Sequence, residues 1–208
     1  KTTIWKDINS IKEILLSLRV LVLECTSMQS FTNTNMYATN FPKKRYKHTL
    51  EFLKNHITPS ESILDLGVEN PLSEIMKAEG YKVSNTSGED LDTNTTALES
   101  ELFDVVTAFE IFEHLLSPFT VLKSIKSKKL VASIPLRLWF ATAYRSKTDP
   151  RDRHFHEFES WQFDWLLEKA GWRIIATKKW TNPTKKIGIR PLLRWFTPRY
   201  YIVYAERI

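Results

Sequence analysis

Cysteine is almost missing from this chain: Cys25 is the only one in 208 residues. A single thiol rules out an internal disulfide and any cysteine-based metal centre, and it favours a reducing compartment, so a cytoplasmic setting is expected. Glycine is scarce too, five in all. Long apolar runs are lacking as well. Ile14 to Leu23 is apolar, but Ser17 and Arg19 interrupt it and it is too short to span a bilayer, so neither a membrane span nor a signal peptide is expected. Repeats and low-complexity tracts do not occur. Acids are absent between Thr177 and Arg199, where Lys178, Lys179, Lys185, Lys186, Arg190, Arg194 and Arg199 together exceed the formal net charge of +6. Cations interleaved with Trp180, Trp195 and Phe196 suit an anionic membrane surface or the phosphates of a nucleic acid.

What remains is ordinary for a globular protein, with 42% apolar and 26% charged residues and enough length for one domain with a substantial core. The chain is organised around Ile63-Leu64-Asp65-Leu66-Gly67. A short apolar run of this kind suits a strand buried on both faces, as in a parallel sheet. Asp65 and Gly67 then stand at its carboxyl end, where ligands bind in open α/β sheets. Asn70 and Pro71 predict a helix start, as a cap followed by the residue that needs no N–H. A dinucleotide site is disfavoured, because Glu69 would repel a pyrophosphate and the glycine-rich turn is missing.

This strand, loop and helix resemble motif I of the class I S-adenosylmethionine-dependent methyltransferases, an acid, any residue, and then three glycines at alternate positions. Asp65 and Gly67 match, whereas Glu69 and Pro71 occupy the other two glycine positions. S-adenosylmethionine carries a sulfonium cation and no phosphate, so an acidic loop is compatible with it. A second, stronger resemblance runs from Phe103-Asp104-Val105-Val106 through Glu110 to Glu113-His114-Leu115, similar to the family's fourth strand and the segment after it. Leu166-Leu167-Glu168-Lys169-Ala170-Gly171-Trp172 is similar to the helix leading into its sixth strand.

The resemblance implies an α/β, Rossmann-like class I methyltransferase fold: a mostly parallel sheet, an antiparallel last strand, an N-terminal helical cap and a shortened middle. Only about twenty residues separate Tyr81 from Phe103, where the family usually has two helices and a strand. Residues 1–57 are expected to form the cap, with a helix over Asp7 to Glu24, a polar lid loop over Ser27 to Phe41 and a helix over Lys43 to His56. Residues 58–208 are expected to form the α/β domain, with Thr181 to Pro198 as a loop between its last two strands.

The implied activity is transfer of a methyl group from S-adenosyl-L-methionine to an oxygen or nitrogen of a small-molecule or lipid-linked acceptor. Asp65, Gly67, Glu89, Asp90 and Glu110 are the expected cofactor-binding residues, with Ser87 at the strict position of the family's ribose-binding acid and Asp92 as a further substitute. His114 is the first candidate to act on the acceptor and His156 the second. Helical spacing would put Glu110 and His114 on one face, at i and i+4. A divalent ion held by Glu110, Glu113 and His114 is a weaker reading, since two consecutive residues rarely face one ion, and no metal is expected. Two alternatives stay open: a non-catalytic relative in which Glu69 and Pro71 block the cofactor, and a nucleic-acid methyltransferase or binder using the 177–199 stretch.

Overall fold

The computed structural model describes residues 42–208 apart from 101 and 185. The expected helix over Asp7 to Glu24 and the lid loop over Ser27 to Phe41 lie outside the described residues. A first helix, α1 (Lys43–His56), precedes β1 (Ser62–Asp65), α2 (Pro71–Ala78) and β2 (Lys82–Asn85). After β3 (Val105–Phe109) come α3 (Pro118–Ser124), β4 (Lys129–Pro135) and α4 (Ser160–Lys169). The chain ends with β5 (Trp172–Thr181), α5 (Ile189–Phe196) and β6 (Pro198–Arg207).

The strands form one six-stranded sheet in the order β2-β1-β3-β4-β6-β5. β1, β2, β3 and β4 are mutually parallel, and β6 runs antiparallel between β4 and β5. β1, β3 and β4 are buried without alternation because both of their faces are covered, whereas β2, at the edge, is not. Leu64, Val106 and Leu130 pack with Val121 and Leu122 of α3 and with Phe163 and Leu167 of α4, while Ile63, Val105 and Val131 are equally buried on the opposite face. Arg207, at the end of β6, donates to the carbonyls of Lys123 and Ile125 at the end of α3 and to that of Ala170 after α4. Its charge thus meets the negative ends of both helices.

The helix start after β1 forms as expected: Asn70 Oδ1 accepts from the N–H groups of Leu72 and Ser73, and Pro71 takes the first helical position. The middle is short, as the residue count implies. Between β2 and β3 the chain makes a single 3-10 turn, Thr96–Glu99, which buries Leu98. The Asp92 carboxylate fastens this loop to the next layer by accepting from the N–H groups of Leu116 and Ser117, both at 2.8 Å.

Two local expectations are corrected. Thr181 to Pro198 is not a loop throughout, because α5 forms within it. Ile189, Leu192, Leu193 and Phe196 repeat at helical spacing, and Pro191 falls in the first turn, where its missing N–H has no intrahelical partner to lose. Nor do Glu110 and His114 share a helical face. Glu110 takes a left-handed backbone, φ 58°, and the turn after it, Phe112–His114, is a three-residue 3-10 turn. No helix among the described residues is long and apolar enough to cross a membrane.

Candidate active site

Because β1, β3 and β4 are parallel and in register, their carboxyl ends bring Asp65, Glu110 and Ser133 to one edge of the sheet. Asp65 is buried and accepts from Thr107 Oγ1 at 2.6 Å, Ser73 Oγ at 2.9 Å and Asn85 Nδ2 at 3.1 Å. Burial pushes its carboxyl above the usual carboxylate range, against the pull of those three hydrogen bonds. The carboxylate therefore locks β1, β2, β3 and α2 together beneath the loop. Asn85 Nδ2 also reaches the Gly67 carbonyl, and the Gly67 N–H donates to Thr86 Oγ1 at 2.8 Å.

Gly67 has φ 102°, a conformation strained for any residue with a side chain, and a Cβ built there would touch only Ile111 Cδ1, at 3.7 Å. Glu69 turns outward and pairs with Lys77 of α2, and Pro71 is spent on the helix start. Across the loop, Gly88 has φ 83°, and a Cβ there would come within 2.7 Å of Val68 Cγ1. That close approach sets Glu89 beside the loop, and Glu89 Oε2 is buried without a hydrogen-bond partner among the described residues. Asp90 is exposed and closes its own turn, its Oδ1 accepting from the Asp92 N–H at 3.0 Å.

At the end of β3 the charges are dense. Glu110 lies 3.4 Å from Arg45 of α1 and accepts from Ser133 Oγ at 3.0 Å. Burial raises its pKa, opposed first by Arg45. Burial works against the Arg45 charge, but Glu110, Tyr200 and Tyr46 outweigh it and hold the guanidinium cationic. Glu113 is 1% exposed, and its pKa stands well above the usual value because of burial and then the Glu110 charge. Its Oε1 is 3.7 Å from His114 Nε2, while its Oε2 has no hydrogen-bond partner among the described residues.

The other His114 nitrogen, Nδ1, donates to the Arg153 carbonyl at 3.0 Å, so that in the neutral ring Nε2 is the nitrogen with the lone pair. His154 meets the His114 ring edge to face, with centroids 4.7 Å apart. Burial, then the His114 and Arg199 charges, push its pKa down to about 4. A cleft of about 580 Å³ opens beside this cluster, lined by Tyr144, Arg145, Lys147, Arg153 and His154. His156 points elsewhere, its Nε2 3.4 Å from the Leu116 carbonyl and its ring stacked on Phe158.

Among solved structures, the chain is similar to the 1,6-didemethyltoxoflavin N1-methyltransferase of Burkholderia thailandensis, which was crystallised with 1,6-didemethyltoxoflavin and S-adenosylhomocysteine. The two are 14% identical, 90% of this chain and 88% of that one are covered, and the TM-score is 0.59. An S-adenosylmethionine-dependent methyltransferase from Archaeoglobus fulgidus is 17% identical, with 78% of this chain and 94% of that one covered and a TM-score of 0.51. The chain has the class I methyltransferase fold. No family model matches the sequence, and neither does any curated protein.

Within this methyltransferase fold, the expected residues divide into three groups. Gly67, Glu89 and Asp65 gather at the loop after β1, although Asp65 supports the loop from below. Glu110 and His114 gather at the end of β3 with Glu113. Asp90 is engaged in its own turn, and His156 with Leu116 and Phe158. Arg45 and Ser133 are not among the expected site residues. Lys43-Lys44-Arg45 resembles an ordinary solvated helix start, and Ser133 lies in an apolar strand, so neither carries a local signal. His154 does carry one, since it alternates with His156, but only the fold decides which of the two meets His114.

Proposed function

We propose that this chain is an S-adenosylmethionine-dependent methyltransferase that acts on an oxygen or nitrogen of a small-molecule or lipid-linked acceptor. One observation carries the reading. The loop after β1 has bare backbone at Gly67 and, at Glu89 Oε2, a buried acceptor without a partner among the described residues, and the buried Glu110 carboxylate stands at the end of the neighbouring β3. A nucleoside with two ribose hydroxyls offers the donors that Glu89 lacks, and a cationic sulfur complements Glu110. Glu69 pairs with Lys77 and Pro71 opens α2, which supports a loop whose backbone stays accessible to such a group.

When bound, S-adenosylmethionine supplies an electrophilic methyl group on a sulfonium sulfur. Gly67 and Glu89 hold the nucleoside, with Asp90 at the rim, and Asp65 positions the loop. Glu110, kept in place by Arg45 and Ser133, faces the positive end. The acceptor enters the cleft beside His154, whose volume suits a small molecule. Arg145, Lys147 and Arg153 favour an anionic group on it. His114 Nε2, with Nδ1 tied to the Arg153 carbonyl, is set to draw off the acceptor's proton. The heterocyclic acceptor of the Burkholderia neighbour supports the small-molecule class. Titration calorimetry with S-adenosylhomocysteine is expected to show one molecule bound per chain, weakened by Glu89→Gln. No heat and no thermal shift at millimolar ligand would leave only the fold.

The exposed face of α5 supports a peripheral contact with an anionic membrane. Ile189, Leu192 and Phe196 are 79%, 59% and 78% exposed on one side, with Arg190 and Arg194 on the other. Each cation near an anionic surface contributes about 1 kcal/mol, so Arg190→Gln with Arg194→Gln should weaken partitioning about 30-fold. Co-sedimentation with vesicles of mixed neutral and anionic phospholipid measures this. Equal binding to neutral vesicles, or preferential binding to RNA, overturns the membrane contact.

A further inference from the structure

The cluster beyond β3 has a composition that proton transfer alone does not require. The ligand-capable atoms of Glu113, His114 and His154 all lie within 4.8 Å of one another. We infer that these three residues form a binding site for a divalent transition-metal ion, with an open fourth position facing the cleft beside His154. The inference goes beyond methyl transfer and does not need it for binding; only the ion's chemical role rests on the proposed function.

Four observations converge. Glu113 Oε2 is buried without a hydrogen-bond partner among the described residues, while Oε1 is 3.7 Å from His114 Nε2, so this carboxylate is at once the most enclosed group of the cluster and the least satisfied. His114 is prepared as a ligand. Its Nδ1–H is committed to the Arg153 carbonyl, which fixes the tautomer that presents the Nε2 lone pair, the outer contact that metal-bound histidines usually make. The His114 and His154 rings meet edge to face, at 89° with centroids 4.7 Å apart, which brings the two imidazoles together without stacking them. Finally, the Glu113 carbonyl accepts from the N–H groups of Phe155 and His156, at 2.8 and 3.2 Å, which pins the strip carrying His154 to the turn carrying the other two ligands.

The objection that consecutive residues rarely face one ion assumes a regular helix. Here the left-handed Glu110 ends the strand, and the short 3-10 turn brings Glu113 and His114 to the same spot. His154, from a distant segment, replaces Glu110 as the third member, and Glu110 stays with Arg45. Two imidazole nitrogens and one carboxylate suit zinc, cobalt or manganese better than magnesium or calcium. Three protein ligands with an open position are the pattern of catalytic rather than structural sites. With an ion bound, the His114 lone pair is used in coordination and His114 no longer takes the proton. An acceptor hydroxyl in the open position then loses its proton to water, the O–H bonding pair staying on the oxygen beside the ion.

The test uses the full chain, stripped with a chelator and titrated with Zn²⁺ by calorimetry and with Co²⁺ by visible absorption. One ion per chain is expected, at micromolar affinity or tighter, with cobalt d–d bands. His154→Ala and His114→Ala should each weaken binding at least tenfold and remove the bands, and Glu113→Gln should weaken it as well. His154 is partly exposed, so its variant keeps the test decisive even if a variant at the buried Glu113 does not fold. Absence of binding to the native chain, or binding unchanged in His154→Ala, overturns the site. Parallel titration with S-adenosylhomocysteine separates the two readings: ion without nucleoside binding removes only the methyl-transfer role, and nucleoside without ion binding removes only the metal site.

Discussion

Glu110→Ala is expected to lower the unfolding free energy by roughly 4 kcal/mol, and Arg45→Met by only about half as much. The two residues form one ion pair at 3.4 Å, with side chains 13% and 26% exposed. Removing the acid strands a guanidinium enclosed by Tyr46 and Tyr200, which cannot shed its proton. Removing the base strands a carboxyl group that can take a proton up, and burial already raises its pKa. The two variants therefore differ in pH behaviour. In Arg45→Met the folded chain binds the Glu110 proton more tightly than the unfolded chain does. The Glu110 contribution to its stability is thus fully present below the ordinary glutamate value, about 4.3, and is lost as pH rises through the raised folded value. Urea unfolding at pH 5 and pH 8 measures both effects. Equal losses in the two variants at both pH values would show that the pair is not enclosed.

At Asp65 a comparable loss, about 3 kcal/mol, is expected for alanine, with part of it recovered by asparagine. Alanine would take away the acceptor of the Thr107 and Ser73 hydroxyls, both on fully buried residues, while Asn85 Nδ2 keeps the Gly67 carbonyl and Ser73 Oγ, and each orphaned hydroxyl costs about 1 kcal/mol or more. Asparagine keeps one acceptor oxygen. Its amide also finds an acceptor in Asn85 Oδ1, which is buried without a partner among the described residues, once the Asn85 amide turns over. The native carboxyl has a raised pKa, caused chiefly by burial. Its contribution is therefore fully present below the unfolded value, about 4, and declines as pH rises through the folded one. Asp65→Asn should flatten that decline. Thermal melts from pH 4 to pH 8 test it, and an alanine variant as stable as the native chain would sink the network.

Most of the fold is legible because its signals are local. An unbroken apolar run reports a strand covered on both faces, and β1, β3 and β4 follow from it. Asn70-Pro71 and Ser117-Pro118 mark helix starts through backbone constraints that do not depend on distant residues. The missing strand of the middle follows from residue count alone. α5 escaped because its apolar face is exposed among the described residues, so the basic residues around it resemble an ordinary solvated loop.

The sequence by itself determined the order of the strands, the acid and glycine at the end of the first strand, and the nearness of Glu110, Glu113 and His114 in the chain, since each depends on neighbouring residues. Tertiary structure decided which partners the acids and histidines at the ends of β1 and β3 meet. Asp65 became a scaffold through Thr107, and His114 acquired its tautomer from Arg153, 39 residues away. Glu113 was enclosed beside His154, and Glu110 was paired with Arg45. Burial and partnership govern proton affinity and ligand capacity, and both arise only when segments far apart in sequence are brought together.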